Sequence, residues 1–225
     1  METPPEDLIQ QIVLFVDRED PAPEPEGIAA AALASVGAFT AHPAADEWRG
    51  WAAGSFAKVV RRADAGTFAK VRAAHPDHAL ATSGAGQAIA FVPGPSGHVP
   101  KKIAKLQVSG TELPRTGDAP WPGRAPESGP GLVVVLNDSL GMSTGKAAAQ
   151  AAHALFAWVL EAAPARVDGW LRAGRPLSVR RLPAAGFRRA VQGEGAGPLI
   201  HDAGRTEIAP GSATACVVAP IRCAD

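Results

Sequence analysis

Leu132-Val-Val-Val-Leu136, followed by Asn137-Asp-Ser-Leu-Gly-Met-Ser-Thr-Gly-Lys146 and then by the Ala-rich run from Ala147 to Leu160, decides how this 225-residue chain is read. An apolar β-branched run of strand length, a polar loop and a helix make a βα unit. The same order opens the chain. Ile12-Val-Leu-Phe-Val16 leads through an acidic loop into the apolar stretch from Gly27 to Phe39.

Laying the halves on each other at an offset of 118 pairs Asp20 with Asp138, Gly27 with Gly145, and Ala29-Ala-Ala31 with Ala147-Ala-Ala149. At 119, Trp51 meets Trp170, Val60-Arg-Arg62 meets Val179-Arg-Arg181, and Phe68 meets Phe187. Alanine matches carry little in so Ala-rich a chain, but Trp, Val-Arg-Arg and Phe recurring in order point to an internal duplication. The fold class expected is α/β, as two tandem three-layer α/β/α lobes with mixed β-sheets. The boundaries are 8–109 for the first lobe, 110–130 for a Pro/Gly-rich linker and 131–225 for the second lobe.

Charge divides at the same place. The chain has 22 basic and 22 acidic residues, with 12 against 15 in 1–128 (net −3) and 10 against 7 in 129–225 (net +3). The whole protein is therefore not a polycation gripping nucleic acid non-specifically, and any such surface is local to the second half. Cys216 and Cys223 match no zinc or redox spacing; no metal and no cofactor are expected. An acidic N-terminus without a basic segment and an apolar run too short to span a bilayer predict a soluble, cytoplasmic chain with no membrane partner.

Two polar clusters could carry chemistry. The first, Asn137 to Lys146, is laid out like a phosphate-cradling loop, but only three residues separate Gly141 and Gly145 where a nucleotide loop has four. Ala147 also stands where a magnesium-holding Ser or Thr is needed. On the helix that follows, Lys146, Gln150 and His153 share one face at i, i+4 and i+7. A lysine in the first turn opposes the helix dipole, which suggests that it serves a ligand. The alternative is a solvated Lys, a bonded Gln and a core His. The second cluster runs from His201-Asp-Ala-Gly-Arg-Thr206 to Thr214, where Asp202 and Thr206 can converge if the chain reverses at Gly204; the alternative is an ordinary Asx turn.

Taken together, Asp138, Gly145-Lys146, Ala148-Ala-Gln150, His153-Ala154, Asp202-Ala-Gly-Arg-Thr206, Ala209-Pro-Gly211 and Thr214 resemble the signature of the type 2 peptidyl-tRNA hydrolases. The resemblance covers residues 131–220. It implies hydrolysis of the ester between a peptide and the terminal ribose of tRNA, with Lys146, Asp202 and Thr206 catalytic. Asp138, Gly145, Gln150, His153, Arg205 and Thr214 are then the substrate-binding candidates, and tRNA meets the second lobe. The chain departs from the pattern at Thr144, where a second lysine is usual, and at Leu136, where arginine is common, which predicts weaker and less salt-dependent tRNA binding.

The sequence ends before the helix and strand that close the family's fold, whereas Val99 to Ser109 in the first half reads as such a closing segment. At the reactive positions the offset pairs Ile28 with Lys146, Gly84 with Asp202 and Ala88 with Thr206, and it sets Arg18 against Leu136. The expectation is a first lobe that kept the fold and lost the reaction, packed on the second as an intramolecular pseudo-dimer. The competing reading is a non-catalytic protein that binds a tRNA end or a partner through the same lobe.

Overall fold

The structure, a computed structural model, describes residues 7–116, 131–204 and 206–220. In the first half, β1 (Leu8–Phe15) is followed by α1 (Glu24–Ala41), α2 (Glu47–Ala53), β2 (Ala57–Ala63), α3 (Ala65–Ala74), β3 (Ala79–Ser83), β4 (Gly86–Ala90), β5 (Gly94–Pro95) and α4 (Lys101–Ala104). The second half runs β6 (Leu132–Asn137), α5 (Thr144–Glu161), α6 (Pro164–Arg172), β7 (Leu177–Leu182), α7 (Ala184–Gln192), β8 (Ile200–His201) and β9 (Ala213–Val218). The strand expected at Ile12–Val16 starts earlier, at Leu8, because Leu8 and Ile9 also pair with β5.

Both sheets are mixed and have the same strand order, β2-β1-β4-β3 and β7-β6-β9-β8. In each, the first pair in that order is parallel (β1 with β2, β6 with β7) and the next two pairs are antiparallel. Parallel neighbours need a crossover, and the helices α1 and α5 supply it. Two tryptophans make like contacts in the two halves: Trp51 Nε1 donates to the Ala57 carbonyl at 2.8 Å, and Trp170 Nε1 to the Pro176 carbonyl at 3.1 Å. Phe56 and Arg175, one residue before those acceptors, are the non-glycine residues with positive φ, at 50° and 59°.

The register corrects two of the sequence pairings. Ile12 faces Val60 as Val134 faces Val179, so Leu136 corresponds to Leu14 and not to Arg18. Ala88 lies opposite Leu14 as Ala215 lies opposite Leu136, so the counterpart of Ala88 is Ala215 and not Thr206. The two lobes differ because β3 and β4 are joined by Gly84-Ala85 alone, while β8 and β9 are joined by the long loop from Asp202 to Ser212.

One hydrophobic cluster runs through both halves. A helix apolar on all sides must be covered on all sides, and α1 is buried from Gly27 to Ala38 between its own sheet, α5 and β7. The rings of Phe39, Trp48, Trp51 and Phe56 from the first half close on Phe156 from the second, at centroid distances of 4.9–5.7 Å. Burying each such side chain is worth roughly 1.5–3 kcal/mol. The outer faces carry smaller clusters, with α3 on the first sheet through Phe68 and Val71, and α7 on the second through Phe187 and Ala190.

A polar clasp fixes the same seam. Glu24, at the start of α1, accepts from Arg181 of β7 through both oxygens, at 2.7 and 2.9 Å, and from the Thr144 hydroxyl at 2.8 Å. Glu24, Thr144 and the Arg181 side chain are all buried. Residues 110–116, the start of the expected linker, are packed as a strap: Leu113 is buried, its N–H donates to Thr144 Oγ1, and the Pro114 carbonyl accepts from Glu24 N–H. The rest of that segment, 117–130, lies outside the described residues.

Candidate functional site

The N-terminus of α5 and the β8–β9 loop meet at one point. Ser143 caps the helix, its hydroxyl accepting from Lys146 N–H at 3.2 Å, which starts the helical turn carrying Lys146. The loop is pinned at its base by Asp202 N–H to the Ser212 carbonyl and Gly211 N–H to the Asp202 carbonyl. Gly204 N–H donates to Asp202 Oδ1 at 2.7 Å, and Gly204 has φ of 73°. This is an Asx turn, but it is also the reversal that brings Thr206 back over Asp202, so the two alternatives describe one structure.

The ammonium of Lys146 pairs with Asp202 Oδ2 and donates to Thr206 Oγ1 at 2.8 Å. Gln150, one turn along, donates to the same Asp202 oxygen at 2.6 Å. The buried Thr214 hydroxyl lies 2.9 Å from Gln150 Oε1 and 3.0 Å from the Ile200 carbonyl. Its contact with the Gln150 oxygen fixes the amide so that the NH₂ faces Asp202. Asp202 and Gln150 are buried while Thr206 is exposed, so the cluster opens to solvent at one side only.

His153, third on that face of α5, stands apart from the carboxylate. Its Nδ1 lies 3.4 Å from Lys58 Nζ and its ring packs on Phe56. Burial first, then the charges of Lys58 and Lys146, hold its pKa well below the usual histidine value, so it is a neutral imidazole near pH 7.

The cavity over this cluster has a volume of about 470 Å³ and is lined by both halves: Lys146, Gln150, His153, Asp202 and Thr206 from the second, Ile9, Phe56 and Lys58 from the first. Gly145 also lines it, with its N–H reaching the Thr111 carbonyl at 3.4 Å. Asp138 is elsewhere. It binds Arg115 at 3.2 Å and approaches Arg181 at 3.6 Å, beside the polar clasp. Arg205 lies outside the described residues.

Two contributors escaped the sequence reading. Glu207 takes Ser143 N–H at 3.0 Å and Ser143 Oγ–H at 2.6 Å, placing a carboxylate at the positive end of α5 and tying the loop to the helix. Lys58 is buried with no motif around it, and its proximity to His153 comes from a sequence separation of 95 residues. Among the described residues no three His, Cys, Asp or Glu side chains form a group that could hold a metal ion. No helix among them is long and apolar enough to cross a membrane.

The second lobe is thus a mixed-sheet α/β fold with a Lys–Asp–Thr cluster held between a helix N-terminus and a hairpin loop. Residues 131–225 match the model of the family Peptidyl-tRNA hydrolase PTH2. They are 35% identical over 97 residues to the peptidyl-tRNA hydrolase of Methanocaldococcus jannaschii, covering 40% of this chain and 84% of the relative. The enzyme of the same name from Methanococcus maripaludis is 37% identical over 95 residues, covering 39% and 82%. Peptidyl-tRNA hydrolase 2 of Saccharomyces cerevisiae is 34% identical over 103 residues, covering 40% and 50%. Through its second half, the chain belongs to this peptidyl-tRNA hydrolase family.

Proposed function

We propose that the second lobe hydrolyses the ester joining a peptide, or an N-blocked amino acid, to the 3′-terminal ribose of tRNA. The observation that carries this is the convergence of Lys146 and Gln150 on Asp202, with Thr206 bonded to the Lys146 ammonium, at the floor of an open cavity. Of the three N–H bonds of the Lys146 ammonium, two go to Asp202 and Thr206; the third is available to the ester carbonyl, where negative charge develops. Among the described residues Asp202 Oδ1 accepts only from Gly204 N–H, leaving a lone pair to orient a water and take its proton as that water attacks the carbonyl carbon. Thr206 and Gln150 hold the lysine and the carboxylate in register, and Thr214 holds Gln150. Collapse of the tetrahedral intermediate breaks the acyl–oxygen bond and returns a proton to the ribose oxygen, giving free peptide and tRNA.

The test is hydrolysis of an N-blocked aminoacyl-tRNA by wild type, Lys146→Ala and Asp202→Ala, each variant checked for its folding transition. The expected result is turnover in the wild type and a loss of about 10²–10³-fold in each folded variant. Binding without cleavage by the wild type would favour a non-catalytic tRNA-end binder.

We infer further that the lobes are diverged copies, 8–109 without the reactive side chains and 131–225 with them. Their shared strand order, the twin tryptophan contacts and the positive φ at Phe56 and Arg175 support this. Packed through α1 and α5, they act as a dimer within one chain.

A further inference from the structure

Lys58 is a buried cation without a carboxylate. It projects from β2 of the lobe that lacks the reactive residues. Its ammonium lies 3.7 Å from the Phe56 ring centroid, 4.2 Å from that of Trp51 and 5.0 Å from that of Phe156. Its polar neighbour is His153 Nδ1 at 3.4 Å, and no Asp or Glu pairs with it among the described residues. The residue is only 8% exposed, and it lines the same cavity as Lys146, Asp202 and Thr206.

Buried charges in proteins are paired, ligand-bound or neutralised, because an uncompensated one costs several kcal/mol. Lys58 has π faces, which attract a cation but return only part of its lost hydration. Burial accordingly pushes its pKa well below the usual lysine value. With no carboxylate beside it among the described residues, the charged form of Lys58 would be stabilised by an anion entering through the cavity that it lines. The charged and titratable groups around that cavity are Lys146, His153, His201, Asp202 and Glu207. Asp202 is committed to Lys146 and Glu207 to Ser143, so neither carboxylate serves Lys58.

We propose that Lys58 is a substrate-binding residue given by the first lobe to the site of the second, and that it takes the phosphate next to the acylated terminal nucleoside. This rests on the ester-hydrolase reading. A cavity of 470 Å³ falls in the range that encloses a ligand of about one nucleotide, so an ester carbonyl at Lys146 leaves the adjoining nucleoside and its phosphate toward the first-lobe wall. The phosphate supplies the charge that Lys58 lacks, and Phe56, Trp51 and Phe156 hold the ammonium in place before the substrate arrives. The first lobe is then a half of the binding site.

The test is Lys58→Met in the full chain, a substitution that fits an apolar cage and removes the charge. Three quantities are compared with wild type: KM and kcat on an N-blocked aminoacyl-tRNA, Tm, and the salt dependence of binding to deacylated tRNA. The proposal expects KM to rise about tenfold with a smaller change in kcat. It also expects Tm to hold or rise, and the slope of log K against log salt to become shallower by about 0.7–0.9, the mark of one lost phosphate contact. A variant with lowered Tm and unchanged KM and slope makes Lys58 a structural partner of His153 and overturns the proposal. If the wild type does not cleave the substrate, the hydrolase reading falls and this inference with it; cleavage with an unaltered variant removes this inference alone.

Discussion

Two hairpins at the same place in two similar sheets show how little of the fold the chemistry requires. In the first lobe β3 turns into β4 through Gly84-Ala85, with Glu26 accepting the Ala85 N–H to tie the turn to α1. In the second, the corresponding turn is the loop from Asp202 to Ser212, which carries Asp202, Thr206 and Glu207 over the start of α5. Strand order, crossover helix and tryptophan contacts are common to both, so they make the lobe; one loop and three positions on one helix make the site. From the first lobe, Phe56 and Lys58 line the cavity from β2 and the turn before it, and Ile9 from β1.

The largest effect should come from separating the halves. Residues 131–225 expressed alone lose the cover that α1, Phe39, Trp48 and Trp51 give to α5, and the fragment should aggregate or lack a cooperative melting transition. A soluble fragment with a sharp transition would make the lobes independent domains. Next is the clasp against its first-lobe counterpart. Glu24→Ala removes both Glu24 bonds of the buried Arg181 guanidinium, leaving it Asp138 at 3.6 Å, and should cost about 3 kcal/mol in chemical denaturation. Arg62→Ala removes more exposed bonds to Gln107 and Gly110 and should cost about 1 kcal/mol or less. Equal losses would show that the arginines do equivalent work.

A third contrast concerns the two turn glycines. Gly204 has φ of 73° and a Cβ there would lie 2.6 Å from Pro210; Gly84 has φ of 52°. Alanine at either should cost about 1–2 kcal/mol of stability. Only Gly204→Ala should lower kcat/KM, because only that turn positions Asp202 and Thr206; a matching loss in Gly84→Ala would break the distinction. The smallest effect belongs to Cys216, whose thiol burial pushes up to about 11 from 9.0. The folded state holds its proton between those values while the unfolded chain releases it, so this group's contribution to stability falls as pH rises from about 9 to 11. In a Cys223→Ser background, native protein at pH 8 should be unreactive toward a chromogenic disulfide reagent; rapid labelling would place the thiol at the surface.

Much of this was legible in the sequence because the signals are local. Runs such as Leu132–Leu136 and Ala147–Leu160 carry their period within a few residues, and the i, i+4, i+7 face of Lys146, Gln150 and His153 needs only helix geometry. Asp202 and Thr206 could be tied to that face through a family pattern. The equivalence of Ala88 and Thr206 went astray because the lobes differ in loop length at that hairpin, a change that a fixed offset does not follow. Asp138 sits in a charged motif yet joins the clasp, since Arg115 and Arg181 reach it first. Glu24 and Arg181, at a separation of 157, and Lys58 belong to no site motif in the sequence; the packing of one lobe on the other buries them.

The all-round burial of α1 also has a consequence in time. When the first lobe leaves the ribosome, one side of α1 can settle on β3 and β4, but the side meant for α5 stays bare until residue 161 has been made. At about 5–20 residues per second, the stretch from Ala41 to Glu161 takes on the order of ten seconds. Through that interval the nascent chain exposes the apolar side of α1 that α5 covers in the finished protein, a surface that a chaperone would be expected to shield.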